Sequence, residues 1–130
     1  MVKPNLDELS TLVGYPVPEE DEAIIKAIDS LDPYGVEIIA VSLGGNGSII
    51  KAHGTYYRVI SPTVQVINTI GCGDCFLAGF VYGLSNNLDI EETIRIATSI
   101  SSAAAESNLS VGYDQQRAEE LKNQVIIHKL

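Results

Sequence analysis

Gly71-Cys72-Gly73-Asp74 is the segment whose residue types could do chemistry. Two glycines let the backbone turn sharply, so that successive N–H groups point into one concavity. A helix starting near Asp74 would add unpaired amides and its positive dipole end, which favours an anion, above all a phosphoryl group in flight. Asp74 would then lie beside that anion, able to accept a proton from an attacking hydroxyl. The same spacing allows a plainer reading, in which the glycines make a tight turn and Asp74 caps the helix.

Three other groupings bear on chemistry. Cys72 and Cys75 form a C-x-x-C, but a structural zinc site needs about four ligands, and His53 and His128 lie in unrelated segments. Asp74 between the cysteines disfavours a reactive thiolate, so two ordinary reduced thiols are expected. Asn5 and Glu8 have capping-box spacing at a helix start. Ser42-x-Gly44-x-x-Gly47 is a glycine loop after a strand. A strand rather than a helix follows it, which argues against a dinucleotide fold, and no G-x-x-x-x-G-K-[ST] run exists.

The elements that must position these residues read as follows. Leu6, Leu9 and Val13 follow one helical face that Gly14, Pro16 and Pro18 end. A second helix opens on Glu19-Glu20-Asp21-Glu22 and buries Ile24, Ile28 and Leu31. Val36–Val41 is a nearly continuous apolar run, the pattern of a strand covered on both faces. Residues 48–52 and 55–60 read as a hairpin turning at His53-Gly54. Phe76, Leu77, Phe80, Val81 and Leu84 recur at helical spacing. Asp89 caps a helix rich in small residues through Ala105, and a last amphipathic helix carries Ala118, Leu121 and Val125. This order predicts an α/β layered fold.

Bulk composition narrows the partners. A chain of 130 residues that is 45% apolar suits a single domain over residues 1–130. Its net charge of −9 repels nucleic acid and acidic membranes. No apolar run reaches the roughly 18 residues of a membrane span, and the start shows no apolar signal region. The expectation is a cytoplasmic protein with no nucleic-acid or membrane partner.

Asn68-Thr69-Ile70-Gly71-Cys72-Gly73-Asp74 with Ala78-Gly79-Phe80 resembles the signature of the ribokinase-like, PfkB-type sugar kinases, N-T-x-G-A-G-D-x-x-x-A-G-F. Lys3-Pro4-Asn5-x-x-Glu8-Leu9 and the Ser42–Gly47 loop extend the resemblance through essentially the whole chain. The branch it looks most like is that of 1-phosphofructokinase and tagatose-6-phosphate kinase. The resemblance implies the C-terminal part of an α/β/α sandwich whose central sheet is flanked by helices. It implies Asp74 as the base, Gly71, Cys72 and Gly73 as the anion hole, and Ser42, Gly44 and Gly47 as the nucleotide loop. Asn108 would be a contact on the adenine side. Asn5 and Glu8 would help place Mg2+, with ATP and a phosphorylated sugar as partners.

The reaction so implied is phosphoryl transfer from ATP to fructose 1-phosphate or tagatose 6-phosphate. A ribose or nucleoside kinase, and a non-catalytic nucleotide-binding or regulatory domain of the same fold, are the alternatives. Cys72 stands where the family has a small Ala or Ser. Family members are more than twice as long, and their N-terminal half supplies sheet strands and sugar-phosphate contacts. The expectation is therefore a C-terminal half with little activity alone. Its unpaired sheet edge would favour a homodimer.

Overall fold

Residues 1–107 and 113–130 are described by the computed structural model. They fall into two compact units, Met1–Ile60 with Ile127–Leu130, and Ser61–Ile126.

In the first unit, helix α1 (Leu6–Val13) starts on a complete capping box. Asn5 Oδ1 accepts the Glu8 N–H at 2.8 Å, and Glu8 Oε1 accepts the Asn5 N–H at 3.1 Å. The helix ends on Gly14, whose φ of 82° is the left-handed conformation that glycine adopts without strain. Helix α2 (Asp21–Asp29) keeps Asp21 and Glu22 in its first turn, where the helix dipole favours them. Its buried stripe is Ile24, Ala27 and Ile28.

The sheet order is β1 (Ile38–Ser42), β2 (Ser48–Ala52), β3 (Thr55–Ile60), β4 (Ile126–Lys129). β1 with β2 and β2 with β3 are antiparallel, Val41 facing Ile49 and Ile50 facing Tyr57. Alternation sends Ile39, Val41 and Ile49 to one face, where they pack with Leu9, Val17, Ile24, Ile28 and Leu31. Ile38, Ala40, Ile50 and Ala52 on the other face are also buried, as the continuous apolar run predicts. The β2–β3 turn has φ of 50° at His53 and 82° at Gly54, the two left-handed residues of the expected two-residue hairpin.

Charged side chains tie α2 to the same hairpin. Lys51 Nζ lies 3.1 Å from Asp29 and 2.8 Å from Asp32, and Arg58 Nε lies 3.5 Å from Asp21. The Tyr56 hydroxyl donates to Asp29, and with Lys51 it holds that carboxyl below its ordinary range.

Val2 and Pro4 run parallel to the outer edge of β1. Val2 donates to Ile38 O at 3.0 Å, and Ala40 and Ser42 donate to Val2 O and Pro4 O, each at 3.0 Å. One expectation needs correction: the last helix, α5 (Gln115–Lys122), stops short of Val125. The β-branched run Val125-Ile126-Ile127 prefers extended backbone and leads into β4, a strand too short and too charged to stand out in the sequence.

The second unit is built on α3 (Cys72–Ser85), α4 (Ile90–Glu106) and α5. Asp89 caps α4 by accepting the Glu92 N–H at 2.8 Å, and Asp114 caps α5. Ala103, Ala118 and Leu121 form a core between α4 and α5. Arg117 pairs with Glu106, Lys122 with Glu92, and Arg95 donates to Val125 O at 2.6 Å. No helix among the described residues is long and apolar enough to cross a membrane.

α3 and α4 approach closely because Gly79 and Gly83 leave a groove on α3. A Cβ on Gly79 would lie 2.8 Å from Ala97 Cα and 2.7 Å from Ile100 Cδ1. One on Gly83 would lie 2.6 Å from Thr93 Cγ2. Thr93 is fully buried, and its hydroxyl is held by Asp89 O at 2.9 Å. Replacing an exposed helix glycine by alanine normally stabilises by about 1 kcal/mol. Here Gly79→Ala should instead destabilise by about 1–3 kcal/mol, because the obstacle is backbone. Gly83→Ala should do the same, and Thr93→Ala in the same chain should recover part of the loss. Urea denaturation midpoints of the single and double variants check this.

Candidate active site

In the second unit the sequence-predicted turn opens α3. Gly71 occupies the N-cap with a φ of 84°, and an added Cβ would meet nothing within 4 Å. Backbone conformation, not space, therefore requires glycine there. The turn before it is fixed by its own chain: Ile70 N–H donates to Asn68 Oδ1 at 2.9 Å and Cys72 N–H to Thr69 O at 3.3 Å. Asn68 thereby makes an Asx turn that sets the entry angle of α3.

No side chain caps α3. Asp74 sits at the third helical position, so the plainer reading of it as the cap does not hold. The N–H groups of Gly73 and Asp74 meet no acceptor among the described residues. Cys72 N–H already faces Thr69, and Gly71 N–H, like those two amides, meets no acceptor among the described residues. The Asp74 carboxylate is exposed and makes no hydrogen bond or ion pair among the described residues. An exposed carboxylate beside two open amides at a positive helix end can act on a hydroxyl brought next to a bound anion.

Cys72 and Cys75 form no disulfide, and both are half-buried. Burial pushes the Cys75 thiol above its ordinary range, and the negative charge of Asp74 pushes it further. Cys72 Sγ lies 3.5 Å from Asn68 O, inside the turn.

Contacts that sequence reasoning did not find hold this turn from α4. Ser101 Oγ donates to Cys72 O at 3.1 Å. Ala105 O accepts from Ile67 N–H at 2.8 Å and from Asn68 N–H at 3.1 Å. The only sequence signal was a polar residue interrupting a small, apolar helical face.

The first unit carries the other predicted residues. Asn5 and Ser42 form a parallel bridge, which puts the Asn5–Glu8 pair next to the start of the glycine loop. The loop is a closed 3-10 turn, Gly44–Asn46, with Leu43 N–H donating to Gly47 O at 2.9 Å. Gly44 has a φ of 59°, and Gly47 has φ 85° and ψ −133°, a combination side chains rarely tolerate. Asn46 Nδ2 anchors the loop to Glu19 at 2.9 Å. Asn5 and Glu8 spend one oxygen each on the capping box, and Glu8 Oε2 has no partner among the described residues. Among those residues no group of three or more His, Cys, Asp or Glu could cage a metal. Asn108 lies outside the described residues.

Comparisons with known proteins bear on the fold and the family. A Staphylococcus aureus chain assigned as a phosphofructokinase shares 33% identity over 98% of this chain and 41% of its own, with a TM-score of 0.89. Escherichia coli phosphofructokinase-2, solved with substrates and products, shares 25% over 95% and 40%, with a TM-score of 0.84. Arabidopsis thaliana ribokinase, solved with ribose and ATP, shares 28% over 93% and 40%, with a TM-score of 0.81. The chain therefore spans about two fifths of the length of these structures. Its fold is that of the ribokinase-like kinases, α/β with a sheet flanked by helices. Residues 1–112 match the pfkB carbohydrate kinases, and the chain belongs to that family.

Proposed function

We propose that this chain carries the catalytic base and the nucleotide-phosphate contacts of an ATP-dependent sugar kinase. The observation that carries the reading is the open start of α3, with uncapped amides at Gly73 and Asp74 beside an unpaired carboxylate. Asp74 takes the proton from a sugar hydroxyl. The freed oxygen attacks the γ-phosphorus, the bond to the bridging oxygen breaks, and ADP leaves. The amides of the Gly71–Asp74 turn stabilise charge on the phosphoryl oxygens.

The Ser42–Gly47 loop, with its glycine conformations, is the proposed nucleotide contact, joined by Asn108. Asn5 and Glu8 fit a magnesium ion held mainly by water and phosphate, since such sites use only one or two carboxylates. Mg2+ when bound supplies charge neutralisation between the phosphates.

For the substrate we propose a ketohexose phosphate, fructose 1-phosphate or tagatose 6-phosphate, on the strength of the turn's sequence and the phosphofructokinase neighbours. Lys51, Arg58, Arg117 and Lys122, half of the eight basic residues, are committed to ion pairs. By the family resemblance, the sugar's own phosphate is met by residues outside this chain. The ribokinase likeness supports ribose or a nucleoside as the second reading.

Two variants of the full-length protein test these roles. Asp74→Asn should lower kcat by roughly 10²- to 10⁴-fold with little change in the KM for ATP. Retained rate would end the assignment of the base, and inactivity of the parent on every sugar and nucleoside would favour a non-catalytic nucleotide-binding domain. Glu8→Gln keeps a capping-box residue, so its unfolding midpoint should match the parent. The Mg2+ concentration for half-maximal activity should nevertheless rise roughly tenfold. An unchanged Mg2+ requirement would confine Glu8 to helix capping.

A further inference from the structure

We propose that Ser101 is a positioning residue for the anion turn, orienting and polarising the Gly73 N–H through the Cys72 carbonyl. The inference rests on reading that turn as the phosphoryl site. Ser101 Oγ donates to Cys72 O at 3.1 Å. The carbonyl of Cys72 and the N–H of Gly73 belong to one planar trans peptide, so they point in opposite directions and fixing one fixes the other. A carbonyl oxygen has two lone pairs, so it can accept Ser101 in addition to its helical bond. Accepting a bond there also draws density from the amide nitrogen and makes its N–H a stronger donor.

Gly73 has no side chain of its own to hold this plane, and no cap at α3 does so. α4 provides the constraint at three successive turns. Ala97 abuts Gly79, Ser101 holds Cys72 O, and Ala105 O receives Ile67 and Asn68. A helical serine commonly bonds back to its own helix, as Ser99 does to Ile96 O at 2.9 Å. Ser101 bonds across to α3 instead.

The test compares Ser101→Ala and Ser101→Thr in the full-length protein, with Asp74→Asn alongside. Alanine's higher helix propensity offsets the lost bond, so Ser101→Ala should unfold at nearly the parent midpoint. Its kcat should fall about three- to tenfold with KM for ATP changed less than about twofold. That is a smaller loss than the roughly 10²- to 10³-fold cost of deleting an oxyanion donor outright. Ser101→Thr, which keeps the hydroxyl, should restore the rate. In this chain by itself, Ser101→Ala should move the Cys72 carbonyl carbon and Gly73 amide resonances while those later in α3 stay in place. Parent kcat together with unmoved Cys72 and Gly73 resonances overturns the role of Ser101 and leaves the base assignment standing. An active Asp74→Asn protein strikes the base assignment and leaves the Ser101 contact intact.

Discussion

The missing side chains at Gly79 and Gly83 are the constraint on which the second unit depends. They bring the backbone of α3 against Ala97 and the buried side chain of Thr93. Each glycine costs the helix about 1 kcal/mol relative to alanine. The contact they allow is close, with Ala97 backbone and the Ile100 side chain at Gly79 and the Thr93 side chain at Gly83. A shift of α3 on α4 would have to displace those atoms. A carboxylate and amides with the role proposed for them would need this kind of support, because small displacements at the reacting atoms are expensive.

Glycine serves a second purpose elsewhere in the chain. At Gly44 and Gly71 an added Cβ would meet nothing, yet φ is positive at both. Those positions need the conformation, whereas Gly79 and Gly83 need the space. The first kind shapes the two loops proposed to meet phosphate, and the second kind holds one of them still. A substitution at either kind would damage the site by a different route, through strain in one case and displacement in the other.

Much of this was legible in the residues themselves. The capping box of Asn5 and Glu8, the two-residue hairpin at His53-Gly54 and the cap at Asp89 depend on neighbours a few residues away, so local spacing reveals them. β4 and the Ser101 contact were not legible. β4 is a four-residue strand defined by its partner in the sheet. Ser101 and Cys72 are 29 positions apart, and nothing in a single sequence marks that pair. The pairing of residues 2–4 with β1 was not legible for a related reason: it joins segments distant in the chain, and Pro4 takes part only through its carbonyl, which accepts from Ser42.

The start of α3 differs from the other helix starts in how its first amides are met. α1, α4 and α5 each satisfy their first amides with an Asn or Asp side chain, a device worth about 1 kcal/mol. α2 has no such bond but sets Asp21 and Glu22 in its first turn. α3 has a glycine at the cap, and its one first-turn acid, Asp74, does not bond back to the helix. A serine or aspartate at position 71 would have to tolerate the left-handed φ and would fill the place of the proposed anion. Among the described residues α3 is the one helix start of this unit without a side-chain cap, and in the proposed reading a phosphate group takes the place that Asp89 and Asp114 fill at α4 and α5.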